Sequence, residues 1–94
     1  MSKLFKDIPL RELEITNLDN VGKELSIRTD DGRYFVSYNT VIAYIDNTAK
    51  IYLDKDYWQY SSTTSKWRNK FLNMTTQETK NEIKLGHIEL INLN

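Results

Sequence analysis

Two stretches of alternating apolar residues, Glu24-Leu25-Ser26-Ile27-Arg28-Thr29 and Arg33-Tyr34-Phe35-Val36-Ser37-Tyr38, flank an Asp31-Gly32 step and constrain the chain more than any other feature. A period of two marks strands with one face on a core, and Asp-Gly between such strands is a strong hairpin signal. A turn centred on Asp31-Gly32 predicts that Ile27 pairs with Val36 and Leu25 with Tyr38, placing all four on one face. A slip of one residue would mate Ile27 with Phe35 and break the stripe. Phe35 then points to the opposite face, which is expected to be covered by a helix or a partner.

A second hairpin is expected from Val41 to Ile45 and Lys50 to Leu53, joined by Asp46-Asn47-Thr48-Ala49, with Ile45 opposite Lys50, Tyr44 opposite Ile51 and Ile42 opposite Leu53. Leu13-Glu14-Ile15-Thr16 reads as an additional strand, with Pro9 where the preceding segment turns into it. After Tyr60 the period changes. Ser61 and Ser62 supply an N-cap, and Trp67 and Phe71, four apart with Leu72 beside them, predict a helix over 62–72. Asn73-Met74-Thr75 ends it. Thr75-x-x-Glu78 is a capping box and Gly86 suits the position after a helix end, so a second helix is predicted over 76–85, then a strand over 87–93. The fold class is α+β: an antiparallel sheet of two hairpins plus a C-terminal strand, packed with a two-helix unit resembling a winged helix-turn-helix. Ninety-four residues suit one such domain, residues 1–94.

Several chemistries lack their residues. There is no cysteine, and His87 is the one histidine, which leaves no ready partner for a serine or cysteine nucleophile. The three glycines, Gly22, Gly32 and Gly86, are scattered rather than gathered in a phosphate loop. A metal would need all-oxygen ligands, and Asp54 with Asp56 reads first as a pair of turn-formers. Glu82-Ile83-Lys84 echoes the acid-x-lysine step of metal-dependent nucleases, yet the capping box places it on a helix, where Glu78/Glu82 and Lys80/Lys84 form an ordinary solvated ladder. The expectation is a non-enzyme with no cofactor. The longest strictly apolar run, Val41 to Ile45, is far too short to span a bilayer, and Met1–Asp7 shows no leader pattern, so the expected compartment is the cytoplasm.

The segment from Tyr57 to Lys70 is the most unusual. Five consecutive hydroxyls, Ser61 to Ser65, lead into a helix that also carries Lys66, Arg68 and Lys70 without an intervening acid. Such a set can hold phosphate oxygens, with Ser62, Thr63 and Thr64 donating beside the three cations, while Tyr57, Trp58 and Tyr60 offer flat faces to bases. On the second helix Gln77, Lys80, Asn81 and Lys84 are placed to face a DNA groove. The competing structural reading makes the tryptophans core anchors, the hydroxyls plain caps and the basic residues a wetted face. Thirteen basic and thirteen acidic residues give no net charge, which weighs against a polyanion partner.

Phe35-x-Ser37-Tyr38-x-Thr40-x-Ile42-Ala43, followed by Tyr57-Trp58-x-Tyr60-Ser61-x-Thr63-Thr64-x-Lys66 and closing on Glu82-Ile83-Lys84-x-Gly86, resembles a group of small uncharacterised phage and plasmid proteins. The likeness covers most of residues 33–93. It implies a mobile-element protein in a bacterial cytoplasm and brings no assigned chemistry.

The leading expectation is a DNA-binding accessory protein of a phage or plasmid, with the 61–84 helical unit on DNA, the first hairpin as a wing and a homodimer on paired half-sites. The alternative is a small inhibitor of a host defence or replication enzyme, docking on a protein surface through aromatics such as Phe35, Tyr52 or Trp58.

Overall fold

The computed structural model describes residues 14–94; Pro9, the first strand's start at Leu13 and the leader reading of Met1–Asp7 lie outside the described residues. Five strands form an antiparallel meander: β1 (Glu14–Asn17), β2 (Glu24–Thr29), β3 (Gly32–Ser37), β4 (Thr40–Asp46) and β5 (Ile51–Asp54). Helices α1 (Ser62–Leu72) and α2 (Thr76–Lys84) follow, and β6 (Ile88–Ile91) closes the six-stranded sheet beside β5. The sheet is not purely antiparallel as expected, because β6 runs parallel to β5. The reason is topological: the segment between β5 and β6 carries both helices, which is the long crossover a parallel neighbour needs.

The first hairpin departs from the expected register by two residues. Ile27 faces Tyr34, Leu25 faces Val36 and Arg28 faces Arg33, so the turn is Asp30-Asp31 and Gly32 already belongs to β3. The Thr29 hydroxyl closes that turn by accepting from the Asp31 amide at 3.1 Å. Gly32 serves another purpose. Its φ is +149°, and a Cβ there would lie 2.1 Å from the Ile45 carbonyl oxygen, so β4 approaches a backbone that only glycine permits. The turn with two left-handed residues lies one hairpin later, at Tyr38-Asn39 (φ 50° and 64°). A two-residue shift preserves the face of every side chain, so Leu25, Ile27, Tyr34 and Val36 still share one side.

The second hairpin is displaced by one residue: Ile45 faces Ile51, Tyr44 faces Tyr52 and Ala43 faces Leu53. Its loop holds Ala49 in the left-handed region (φ 70°), and Asp46 Oδ1 accepts from the amides of Thr48 and Lys50. An irregularity after Phe35 sets Phe35 against Ala43 but Val36 against Val41, leaving Ile42 as the extra residue of a bulge.

Two apolar clusters result, one on each face. Ile27, Tyr34, Val36, Val41 and Leu93 form the first; Phe35, Ile42, Ala43, Leu53, Leu72 and Ile88 form the second, with Trp58, Trp67, Phe71 and Ile83 packed against it from the helical side. Of the helix or partner expected over Phe35, a helix covers it, and its ring stacks on Phe71 at 5.7 Å. Both helices have the predicted bounds to within a residue. α1 is capped by Ser61 and ended by Asn73 in the left-handed conformation. α2 shows both halves of the Thr75/Glu78 capping box. It ends in a Schellman motif, with Gly86 N–H donating to the Ile83 carbonyl and His87 N–H to the Glu82 carbonyl. The helices spread over the sheet, α1 against β2 and β3 and α2 against β6.

Candidate functional site

The inward face of α1 is set by the spacing 64, 68, 72: Thr64, Arg68 and Leu72 are its buried residues. Arg68, expected as a phosphate grip, is fully buried. Its guanidinium donates to the Trp58 carbonyl, to Asn69 Oδ1 and Thr76 Oγ1 at 2.9 Å each, and more weakly to Ser65 Oγ at 3.4 Å. It also lies over the Trp58 ring, 5.1 Å from the centroid. Only Nε lacks a partner, and burial pulls the guanidinium below its ordinary pKa. Arg68 thus ties the loop after β5, α1 and the start of α2 together.

Thr64 is buried as well, in a chain of hydroxyls. Ser37 Oγ donates to Glu24 Oε1 at 2.8 Å, which leaves Ser37 only as acceptor for the Thr64 hydroxyl at 2.9 Å; Thr64 in turn accepts from Ser61 Oγ at 3.1 Å. The chain therefore runs one way, from Ser61 through Thr64 and Ser37 to Glu24. Burial raises the pKa of the Glu24 carboxyl, the Ser37 bond opposes that, and nearby Asp19 adds to it. Of the five hydroxyls, Ser61 caps, Thr64 is internal and Ser65 faces Arg68, leaving Ser62 and Thr63 exposed.

The remaining expected site residues lie outside. Lys66 and Lys70 are exposed and both approach the Trp67 ring, 5.3 and 4.6 Å from its centroid. Gln77, Lys80, Asn81 and Lys84 are exposed on α2, with Gln77 Nε2 donating to Asn81 Oδ1 at 3.2 Å. The two acids of that helix are engaged, Glu78 in the capping box and Glu82 with His87 Nδ1 at 2.7 Å. Phe35, expected as an exposed anchor for a protein partner, is wholly buried, and Tyr52 and Trp58 are half-buried. Asp54 is buried and accepts from Asp56 N, Tyr57 N, Leu93 N and Asn94 Nδ2, so N–H donors already occupy the oxygens that a cation would need.

The observed register creates a site that sequence reasoning missed. Arg28 and Arg33 stand directly opposite each other on β2 and β3, on the helical side of the sheet. Like charges so placed are destabilising. A recess of about 320 Å³ lined by Glu14, Thr16, Ser26, Arg28 and Arg33 lies beside one of about 220 Å³ lined by Leu18, Ser26, Arg33, Trp67, Lys70 and Phe71. Ser26 and Arg33 border both, so the two recesses adjoin between β1 and α1, and among the described residues their lining sets three cations against the carboxylate of Glu14, while Asp46 borders the two arginines from the side of the β4–β5 loop. Glu14 lies 3.8 Å from Arg28 Nε, and both side chains are mostly exposed, which makes the pair weak. The Arg33 guanidinium rests over Phe71 at 5.3 Å, and no carboxylate among the described residues forms an ion pair with it. That guanidinium makes no hydrogen bond to a side chain or carbonyl among the described residues, which leaves its N–H donors to solvent or a ligand.

A family model describing a family of unknown function, DUF8033, matches residues 12–87. The chain belongs to that family. No curated protein and no solved structure matches the chain. The matched residues span both the groove and the buried Arg68 junction, from β1 to the end of α2. No helix among the described residues is long and apolar enough to cross a membrane.

Proposed function

We propose that this chain is a non-enzymatic DNA-binding accessory protein of a phage or plasmid, and that it holds the phosphate backbone in the groove between β1 and α1. The observation that carries the reading is the opposed pair Arg28 and Arg33 with Lys70 beside Arg33: three cations line two adjoining recesses whose carboxylate among the described residues, Glu14, is loosely paired, and Asp46, which also borders the arginines, is taken up by its own loop. Guanidinium and ammonium groups with free donors are the usual grip on phosphate oxygens. Zero net charge does not oppose this, because the local field of a lined recess outweighs a distant balance of exposed charges beyond a Debye length of about 10 Å at 0.1 M salt. Lys66, Ser62 and Thr63 extend the cationic wall along α1, while Gln77, Lys80, Asn81 and Lys84 form a second exposed polar face on α2.

A gel-shift series in rising salt on DNA tests the reading. Binding is expected at low salt and is expected to weaken at least about ten-fold in an Arg28→Ala/Arg33→Ala/Lys70→Ala protein. Unchanged binding by that protein contradicts the groove.

A protein partner is the alternative, favoured by β1, the outermost strand among the described residues: each of its residues is exposed, and Ile15 is 48% accessible. Such an edge can add a strand from another chain. A pull-down from host lysate with nuclease added separates the two readings, since a protein partner survives the treatment and a DNA-bridged one is lost.

A further inference from the structure

We infer that the β1–α1 groove takes a single strand of nucleic acid rather than a duplex, with a base stacked on the Trp67 indole and the neighbouring phosphates on Arg33 and Arg28. The inference rests on the DNA-binding reading above and narrows it. A duplex is read by an element that protrudes into its major groove. Here the arginines lie on the strand floor of a recess walled by α1, and the inner stripe of that helix is turned down onto the sheet. The two adjoining recesses, about 320 and 220 Å³, suit a flexible chain of nucleotides laid along them.

The wall also carries the second element that single strands need, a flat ring beside the cations. Phe71 is not that ring, because Phe35 and Arg33 both lie against it. Trp67 is: it is half-buried, it lines the smaller recess, and beside its core contacts the groups over its ring are the ammonium ends of Lys66 and Lys70 on their flexible stems. Those ends can swing from the indole to a phosphate when a base takes their place. Few phosphates are engaged, so the salt dependence is shallow. Three or four contacts on a single strand predict a slope of log K against log salt of about −2 to −3.

The test is fluorescence anisotropy of a labelled thymidine strand of about 12 nucleotides, within the usual single-strand site sizes, against a hairpin duplex of equal length. The single strand is expected to bind at least about ten-fold more tightly, and Trp67→Ala to weaken it by roughly ten-fold with Trp67→Phe restoring most of the loss. Because Trp67 also packs on the core, tryptophan emission is followed in a Trp58→Phe protein, where single-strand binding is expected to quench the remaining indole. Equal or tighter duplex binding, or a bound single strand with no quenching, overturns the inference and leaves the DNA-binding reading standing. Binding of neither at low salt overturns both.

Discussion

Two arginines in this fold lie over aromatic rings at nearly the same distance and serve opposite ends. Arg68 lies 5.1 Å from the Trp58 centroid and Arg33 lies 5.3 Å from that of Phe71. Arg68 is fully buried, and its guanidinium is bonded to carbonyl, amide and hydroxyl oxygens on three segments. Arg33 is exposed, has no ion pair among the described residues, and faces a second arginine. The ring contact is therefore no guide to role; the hydrogen bonds are. A guanidinium surrounded by acceptors from its own chain is part of the scaffold, and one with open donors in a recess is available to a ligand.

The largest effect expected from this contrast is at Arg68. Arg68→Ala leaves the Trp58 carbonyl and Asn69 Oδ1 without the donor they have and opens a void, so a loss of about 3 kcal/mol or more is expected in urea denaturation. Arg68→Lys is expected to recover little, because an ammonium cannot reproduce the planar fork. A loss below about 1 kcal/mol at Arg68→Ala would remove it from the scaffold. For the same reason a combined Lys66/Arg68/Lys70 substitution is a poor test of DNA binding, since it unfolds the site while removing its charge.

Arg33→Ala is the reciprocal case. Its stability change is expected to stay within about 0.5 kcal/mol, with relief of the Arg28 repulsion offsetting lost contact with Phe71, while single-strand affinity falls. A large stability loss without an affinity change would reverse the two roles.

The smallest effect concerns the buried hydroxyl chain ending on Glu24. Burial raises its folded pKa above the ordinary glutamate value of 4.5, so the folded state holds the proton more tightly than the unfolded chain. Its contribution to stability is then fully present below pH 4.5 and is lost as pH rises through the raised value. Glu24→Gln removes that dependence. Denaturation midpoints of the two proteins are expected to diverge upward in pH in favour of Glu24→Gln; a constant difference from pH 3 to pH 8 contradicts this origin.

Much of the fold was legible. Ser61, the Thr75/Glu78 box and Gly86 set the helix limits because capping is local chemistry, readable without tertiary context. The faces of the first hairpin were readable because alternation survives its two-residue slip, whereas the one-residue slip of the second sets Tyr44 and Leu53, expected on one face, on opposite faces. The site was less legible, for two physical reasons. Asp31-Gly32 reads as a turn, but Gly32 is a glycine because the Ile45 carbonyl leaves no room for a Cβ, and that tertiary fact moves the register until Arg28 meets Arg33. Arg68 reads as outward because it is charged, although Leu72 four residues on marks the same face as buried. The parallel placement of β6 had no local signal, since it depends on where the helical crossover sets the chain down.

The most direct test is an amide and side-chain NMR titration of the folded protein with a short thymidine strand. Shifts concentrated at Arg28, Arg33, Trp67 and Lys70 are predicted, with Lys80 and Lys84 on α2 left unchanged. Shifts centred on α2, or none along the β1–α1 groove, contradict the account.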